Sequence, residues 1–151
     1  MLPFSRMKHI CFDVEDIEEA EARFTKVFGV PSTGINTISL EGGAGVVKTV
    51  FFHLEKGSVE LACHCLPESW KDSPINRGHG FHHLAFEADD FDEALSALAG
   101  QGISPLPQFP FKTLHGRVAF FPPEKTGGIL MELCEKETSK NNSTIQTGGM
   151  E

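Results

Sequence analysis

The 151-residue sequence has no apolar run approaching the length of a membrane span, and its opening, MLPFSRMKH, lacks the apolar segment of a signal peptide. Basic residues are scarce: 13 Lys and Arg stand against 21 Asp and Glu, for a net charge of −8. Nucleic-acid binding rests on clustered cations that neutralise phosphates, so this balance argues against nucleic acid as the main partner. A small anionic substrate remains compatible, because a metal ion or a few local cations reverse the field inside a cleft. No C-x-x-C pair occurs among Cys11, Cys63, Cys65 and Cys134. The C-x-C at Cys63–Cys65 turns both thiols to one face of a strand, and no second cysteine pair completes a site. The expectation is a reduced, cytoplasmic protein without membrane contact.

What is present is an ordinary globular composition, 40% hydrophobic and 23% charged, in a chain long enough to bury a core. It suits one domain, or two small halves fused into one. Residues 8–14 alternate as a strand, with Ile10, Phe12 and Val14 on one face. Ile17, Ala20, Phe24, Val27 and Phe28 then fall at helical spacing, with acidic residues in the first turn and Gly29 at the stop. A turn-rich stretch with a possible short strand leads to two strands over 46–65, joined by a turn at Glu55–Ser58. After a Pro-, Gly- and Ser-rich linker the pattern restarts: strand FHHLAFEA, helix DDFDEALSALAGQGI, a loop with three prolines, and strands RVAFFPP and GILMELCE. From Lys136 the chain is polar and apolar-poor, and a disordered tail is expected over 137–151.

The second half repeats the first. With His9 placed on His83, 74 residues on, Phe12 meets Phe86, Asp16 meets Asp90, Glu19 meets Glu93 and Ala20 meets Ala94. This reads as an internal duplication, with modules over 7–66 and 79–136 inside a domain of residues 1–136.

Strand parity then selects residues. Side chains two apart share a face. If Ile10, Phe12 and Val14 pack on the first helix, His9 faces the other way. The same reasoning turns Glu60 away from Val59 and Leu61, His83 away from Leu84 and Phe86, and Glu132 away from Met131 and Leu133. Glu60 follows His9 by 51 residues and Glu132 follows His83 by 49. Two related sheets, each curling around its own helix, bring these faces together in one cup. Two imidazoles and two carboxylates suit a divalent cation, and four protein ligands on an octahedral ion leave two positions open. His82 is expected to turn to the helix side as a packed, hydrogen-bonded residue. His53, His64, His79 and His115 have no repeat partner and stay unassigned.

At these residues the chain resembles the vicinal oxygen chelate superfamily, also called the glyoxalase-like fold, over roughly residues 7 to 136. The resemblance implies an α+β fold of two paired βαβββ modules whose sheets form a cup around one divalent ion, of the kind Co, Ni, Zn, Mn or Mg. Within the superfamily the chain looks most like methylmalonyl-CoA epimerases. GFHHLAFEADDFDEA resembles that family's paired-His strand and acidic helix start, HGRVAFFPPEKTGGILMELCE resembles its closing segment, and DSPI at Asp72–Ile75 recurs in some members. The family's metal positions fall on His9, Glu60, His83 and Glu132, the second being Gln in some members. Three features depart from the family: NRGHGF replaces a short helical segment, Pro122–Lys125 replaces its HPK, and Lys48 stands where some members carry a carboxylate.

The resemblance implies a metal-dependent isomerase acting by metal-stabilised enolate formation and α-proton transfer. Glu132 is the first candidate base and Glu60 its counterpart. Lys48 joins them as a candidate if its strand turns it into the cup. The expected substrate is an acyl-CoA thioester or a glutathione adduct, and a homodimer is expected. The alternatives are a glyoxalase I-type lactoylglutathione lyase, an extradiol-type dioxygenase, and a metal-free small-molecule-binding protein of the antibiotic-resistance type.

Overall fold

A computed structural model describes residues 4–137, so all but the first residue of the expected tail lies outside the described part. The elements run β1 (Arg6–Asp13), α1 (Ile17–Phe28), β2 (Asn36–Leu40), β3 (Gly45–Leu54), β4 (Gly57–Cys65), β5 (Gly80–Ala88), α2 (Phe91–Gly100), β6 (Phe111–Thr113), β7 (Gly116–Phe121) and β8 (Met131–Glu135). Each half is therefore strand, helix and three strands. The short β6 lies within the proline-rich stretch expected to be loop, beginning directly after Pro110.

Both helices start on the same device. The Asp16 carboxylate accepts from the Glu19 backbone N–H at 2.8 Å, and the Asp90 carboxylate from the Glu93 N–H at 2.9 Å. Each satisfies one orphan donor of a first turn and places negative charge at the positive end of the helix dipole. Helix α1 stops where Gly29 adopts a left-handed conformation, φ 66°.

The eight strands form one sheet, in the order β2-β3-β4-β1-β5-β8-β7-β6, rather than two. The halves join where β1 pairs antiparallel with β5, while β1–β4 and β5–β8 are parallel. Each helix covers its own half. Ile17 packs with Val50, Phe52 and Leu61, and Phe91, Ala94 and Leu98 pack with Ala119, Phe121 and Leu133. Phe52 and Phe121 are fully buried in these layers, each contributing roughly 1.5–3 kcal/mol by burial. A third cluster lies on the opposite face of the sheet. Leu40, Trp70, Ile75, Leu106 and Leu130 pack there with Ile38, Val47, Phe111 and Phe120, linking strands from both ends of the sheet. The sheet thus curls into a nearly closed cup, and the linker contributes Trp70 and Ile75 to its filling.

Candidate metal centre

The four residues selected by parity meet inside the cup, supplied by its four central strands. His9 Nε2 lies 3.0 Å from Glu60 Oε2, 3.1 Å from Glu132 Oε2 and 3.1 Å from His83 Nε2. His83 Nε2 lies 3.1 Å from Glu132 Oε2 and 3.6 Å from Glu60 Oε2. All four residues are buried, with exposures of 4%, 7%, 3% and 7% for His9, Glu60, His83 and Glu132.

Hydrogen bonding alone cannot satisfy this group. A ring nitrogen carries at most one proton, and His9 Nε2 faces three lone-pair atoms. A central cation serves all four donors at once. Donor atoms about 2.1 Å from one ion stand about 3.0 Å apart when adjacent on an octahedron and about 3.4 Å apart on a tetrahedron. Four of the observed separations, 3.0 to 3.1 Å, fall in that range and the His83–Glu60 pair at 3.6 Å lies just beyond it, so the donor set fits a divalent metal.

The electrostatics agree. Burial lowers the pKa of His9, but the carboxylates of Glu60 and Glu132 outweigh it and raise the imidazole to about 10. Burial raises Glu60 and Glu132, yet the His9 and His83 imidazoles hold both below the ordinary carboxylate range. The pocket thus binds positive charge strongly, which a proton supplies in part and a divalent ion supplies better. Aromatic rings brace both imidazoles: Phe51 meets His9 edge-on at 5.3 Å and Phe120 meets His83 edge-on at 4.9 Å.

His82 departs from expectation. It is buried and hydrogen-bonded, but it lies on the cup side, not the helix side. In the β1–β5 ladder Cys11 pairs with His83 and Phe12 with Phe81, so His82 is an extra residue in a bulge. The bulge turns two consecutive side chains to the same face. His82 donates from Nε2 to the Ile75 carbonyl at 2.7 Å, and its Nδ1 sits 2.8 Å from His83 Nδ1. Its ring stacks on His64 at 4.4 Å. Burial and the neighbouring His64 and His83 push His82 down to about 4.

Three residues left unassigned or unnoticed in the sequence assemble beside it. Asp13 bonds His64 through one oxygen and His79 through the other, the latter at 2.9 Å. Burial raises Asp13, but the bonds from His64 and His79 outweigh it and hold it below the ordinary carboxylate range. The shared cup-side parity of Asp13 and His9 was the signal available for this cluster. Cys11, on the same face, forms a second close group with His82 and His83. Burial pushes its thiol well above its usual range, which disfavours the thiolate a metal needs. His53 and His115 lie apart, bonded to Ser58 and Glu137.

Residues 8–121 match the model of the glyoxalase/bleomycin resistance protein/dioxygenase superfamily. The chain belongs to that superfamily. It is 31% identical over 144 residues to the uncharacterized protein YqjC of Bacillus subtilis, covering 91% of this chain and 97% of that one. It is 30% identical over 139 residues to the mitochondrial methylmalonyl-CoA epimerase of Dictyostelium discoideum, covering 87% and 78%. Among solved structures, a Streptomyces coelicolor methylmalonyl-CoA epimerase variant in complex with 2-nitronate-propionyl-CoA superposes with a TM-score of 0.65 at 22% identity, covering 89% of this chain and 99% of that one.

Lys48, the remaining candidate, is a correction. On β3 the superfamily cup is lined by Val47 and Phe51, which join the cup cluster and His9 respectively. Lys48 has the opposite parity and reaches Glu18 of α1, with Nζ 2.8 Å from Oε1. It borders a groove with Asp16, Glu18, Cys63 and Cys65 on the helix side. The second half repeats the strap: Arg117 of β7 reaches Asp92 of α2 at 2.8 Å. Glu18 also raises the pKa of Lys48, the reverse of what a base requires.

Proposed function

We propose that the chain is a metal-dependent isomerase of the methylmalonyl-CoA epimerase type, transferring the α-proton of an acyl-CoA thioester. The observation that carries this reading is the convergence of His9, Glu60, His83 and Glu132 on one buried point, at separations that fit a single ion. The epimerase relatives support the reaction type. A divalent cation bound there supplies Lewis-acid polarisation of a substrate carbonyl oxygen.

The chain's own residues do the rest. His9 and His83 give neutral nitrogen donors from the two halves. Glu132 is the candidate that removes and returns the α-proton, exchanging between metal donor and base, with Glu60 as its counterpart from the first half. The cup-facing residues of β3, Val47 and Phe51, carry no acid, so both proton-transferring carboxylates come from β4 and β8. The apolar cluster of Trp70, Ile75, Leu106 and Leu130 keeps bulk water away from the acidic α-carbon. Glu60 as a fourth donor sets the site apart from a dioxygenase, which uses two His and one carboxylate.

The test is proton exchange in D₂O. The metal-loaded protein is expected to wash deuterium into the α-position of methylmalonyl-CoA and to leave the glutathione hemithioacetal untouched. Exchange with the hemithioacetal alone replaces the epimerase by a glyoxalase I-type lyase, and exchange with neither removes both.

A further inference from the structure

We propose that His82 is a positioning residue for the candidate metal centre: it accepts the Nδ1 proton of His83 and thereby leaves His83 Nε2 bare as a donor atom. This rests on the metal reading above, and its geometry is independent of any ion. The Ile75 carbonyl only accepts, so His82 Nε2, 2.7 Å away, carries a proton. A neutral imidazole has one proton, so His82 Nδ1 is a lone pair. It lies 2.8 Å from His83 Nδ1, which must therefore donate. In a neutral His83 that proton is the only one, so the Nε2 lone pair is left for an ion between Glu132 and His9. The chain of bonds runs from a backbone carbonyl to the ligand atom without a choice of tautomer at either ring.

The two halves supply an internal comparison. In β1 the ladder pairs Met7 with Phe86 and His9 with Ala85, so Lys8 is the extra residue, as His82 is in β5. The bulge is duplicated, but Lys8 has no lone pair to offer. His9 Nδ1 is correspondingly buried with no hydrogen-bond partner. The same backbone irregularity thus stands before both ligand histidines, and only the second half uses it to hold a tautomer. Stacking on His64, itself bonded to Asp13, limits rotation of the His82 ring.

Imidazole ¹H–¹⁵N correlation spectra of the metal-free protein test the assignment directly. The expected result is a proton on His83 Nδ1, whether or not Nε2 carries a second one beside Glu132; a bare Nδ1 overturns it. Co²⁺ titration, followed by visible absorption, tests the consequence. His82→Phe removes the acceptor and is expected to raise the Co²⁺ Kd about 10- to 100-fold, the usual cost of losing an outer partner of a metal-bound His. His82→Asn restores an acceptor oxygen near the Nδ1 position and is expected to recover most of that loss. Equal weakening by both variants, or a wild-type Kd in His82→Phe, overturns the proposal. Failure of the wild-type protein to bind Co²⁺ removes the metal reading, and the His83 tautomer still decides this one.

Discussion

His9 Nε2 and His83 Nε2 stand 3.1 Å apart although 74 residues separate them in the chain. One proton can bridge the two nitrogens, but each also touches Glu132 Oε2 at 3.1 Å, so a single proton leaves other lone pairs of the group unserved. The contact exists because β1 and β5 pair across the centre of the sheet, which places equivalent positions of the two halves side by side.

One Co²⁺ per chain is expected. His83→Ala and Glu132→Ala should each weaken binding by at least about 100-fold, since losing only an outer partner costs about 10- to 100-fold. At a free Co²⁺ concentration of 100 times Kd, the wild-type protein should gain about 2.7 kcal/mol of stability. Equilibrium dialysis and thermal denaturation with and without metal check both.

Lys48→Ala is expected to leave Co²⁺ affinity and α-proton exchange within twofold of wild type. Its ammonium sits on the helix side against Glu18, with 42% of the side chain exposed. A loss of exchange greater than tenfold would return Lys48 to the reaction.

The helix caps should contribute independently. Asp16→Ala and Asp90→Ala each remove a carboxylate that accepts from a first-turn N–H, and each is expected to cost about 1 kcal/mol. They belong to different helices with no shared partner, so the double variant should lose the sum. Urea unfolding of the three variants measures this.

Asp13 should account for part of the acid sensitivity. Its folded pKa lies below its unfolded value of about 3.9. The stabilisation is therefore present above about pH 3.9 and is lost as pH falls through the folded value. Asp13→Asn removes it, so the stability difference between wild type and variant should shrink as pH drops from 6 toward 3. A difference that stays constant over this range contradicts the assignment.

The four free thiols should separate by reactivity. Cys65 is exposed, Cys63 is half-buried, and Cys11 and Cys134 are buried. Burial raises the thiols of Cys11 and Cys134 well above their usual range. Alkylation of the folded protein, mapped by mass spectrometry, should label Cys65 first and Cys63 more slowly. Cys11 and Cys134 should react only after denaturation.

Both helices, most of the strands and the four convergent side chains were readable from residue order and spacing alone. His9, Glu60, His83 and Glu132 were legible because their own strands each have one apolar face, so parity has a sign. Repetition across the halves then separated His83 from the other histidines. Lys48 was not legible, because β3 is apolar on both faces: Val46 and Val50 on one, Val47 and Phe51 on the other. An alternation without contrast says which residues share a face and not which face turns inward. His82 was hidden for a different reason. A bulge is a property of two paired strands, and nothing in FHHLAFEA alone marks the extra residue opposite Cys11 and Phe12. The single sheet shared by the two halves, the gathering of His64 and His79 by Asp13, and the reach of His82 from Ile75 to His83 emerge only in the folded chain. Each of these depends on contacts between segments far apart in the chain, and a local pattern carries no record of its distant partner.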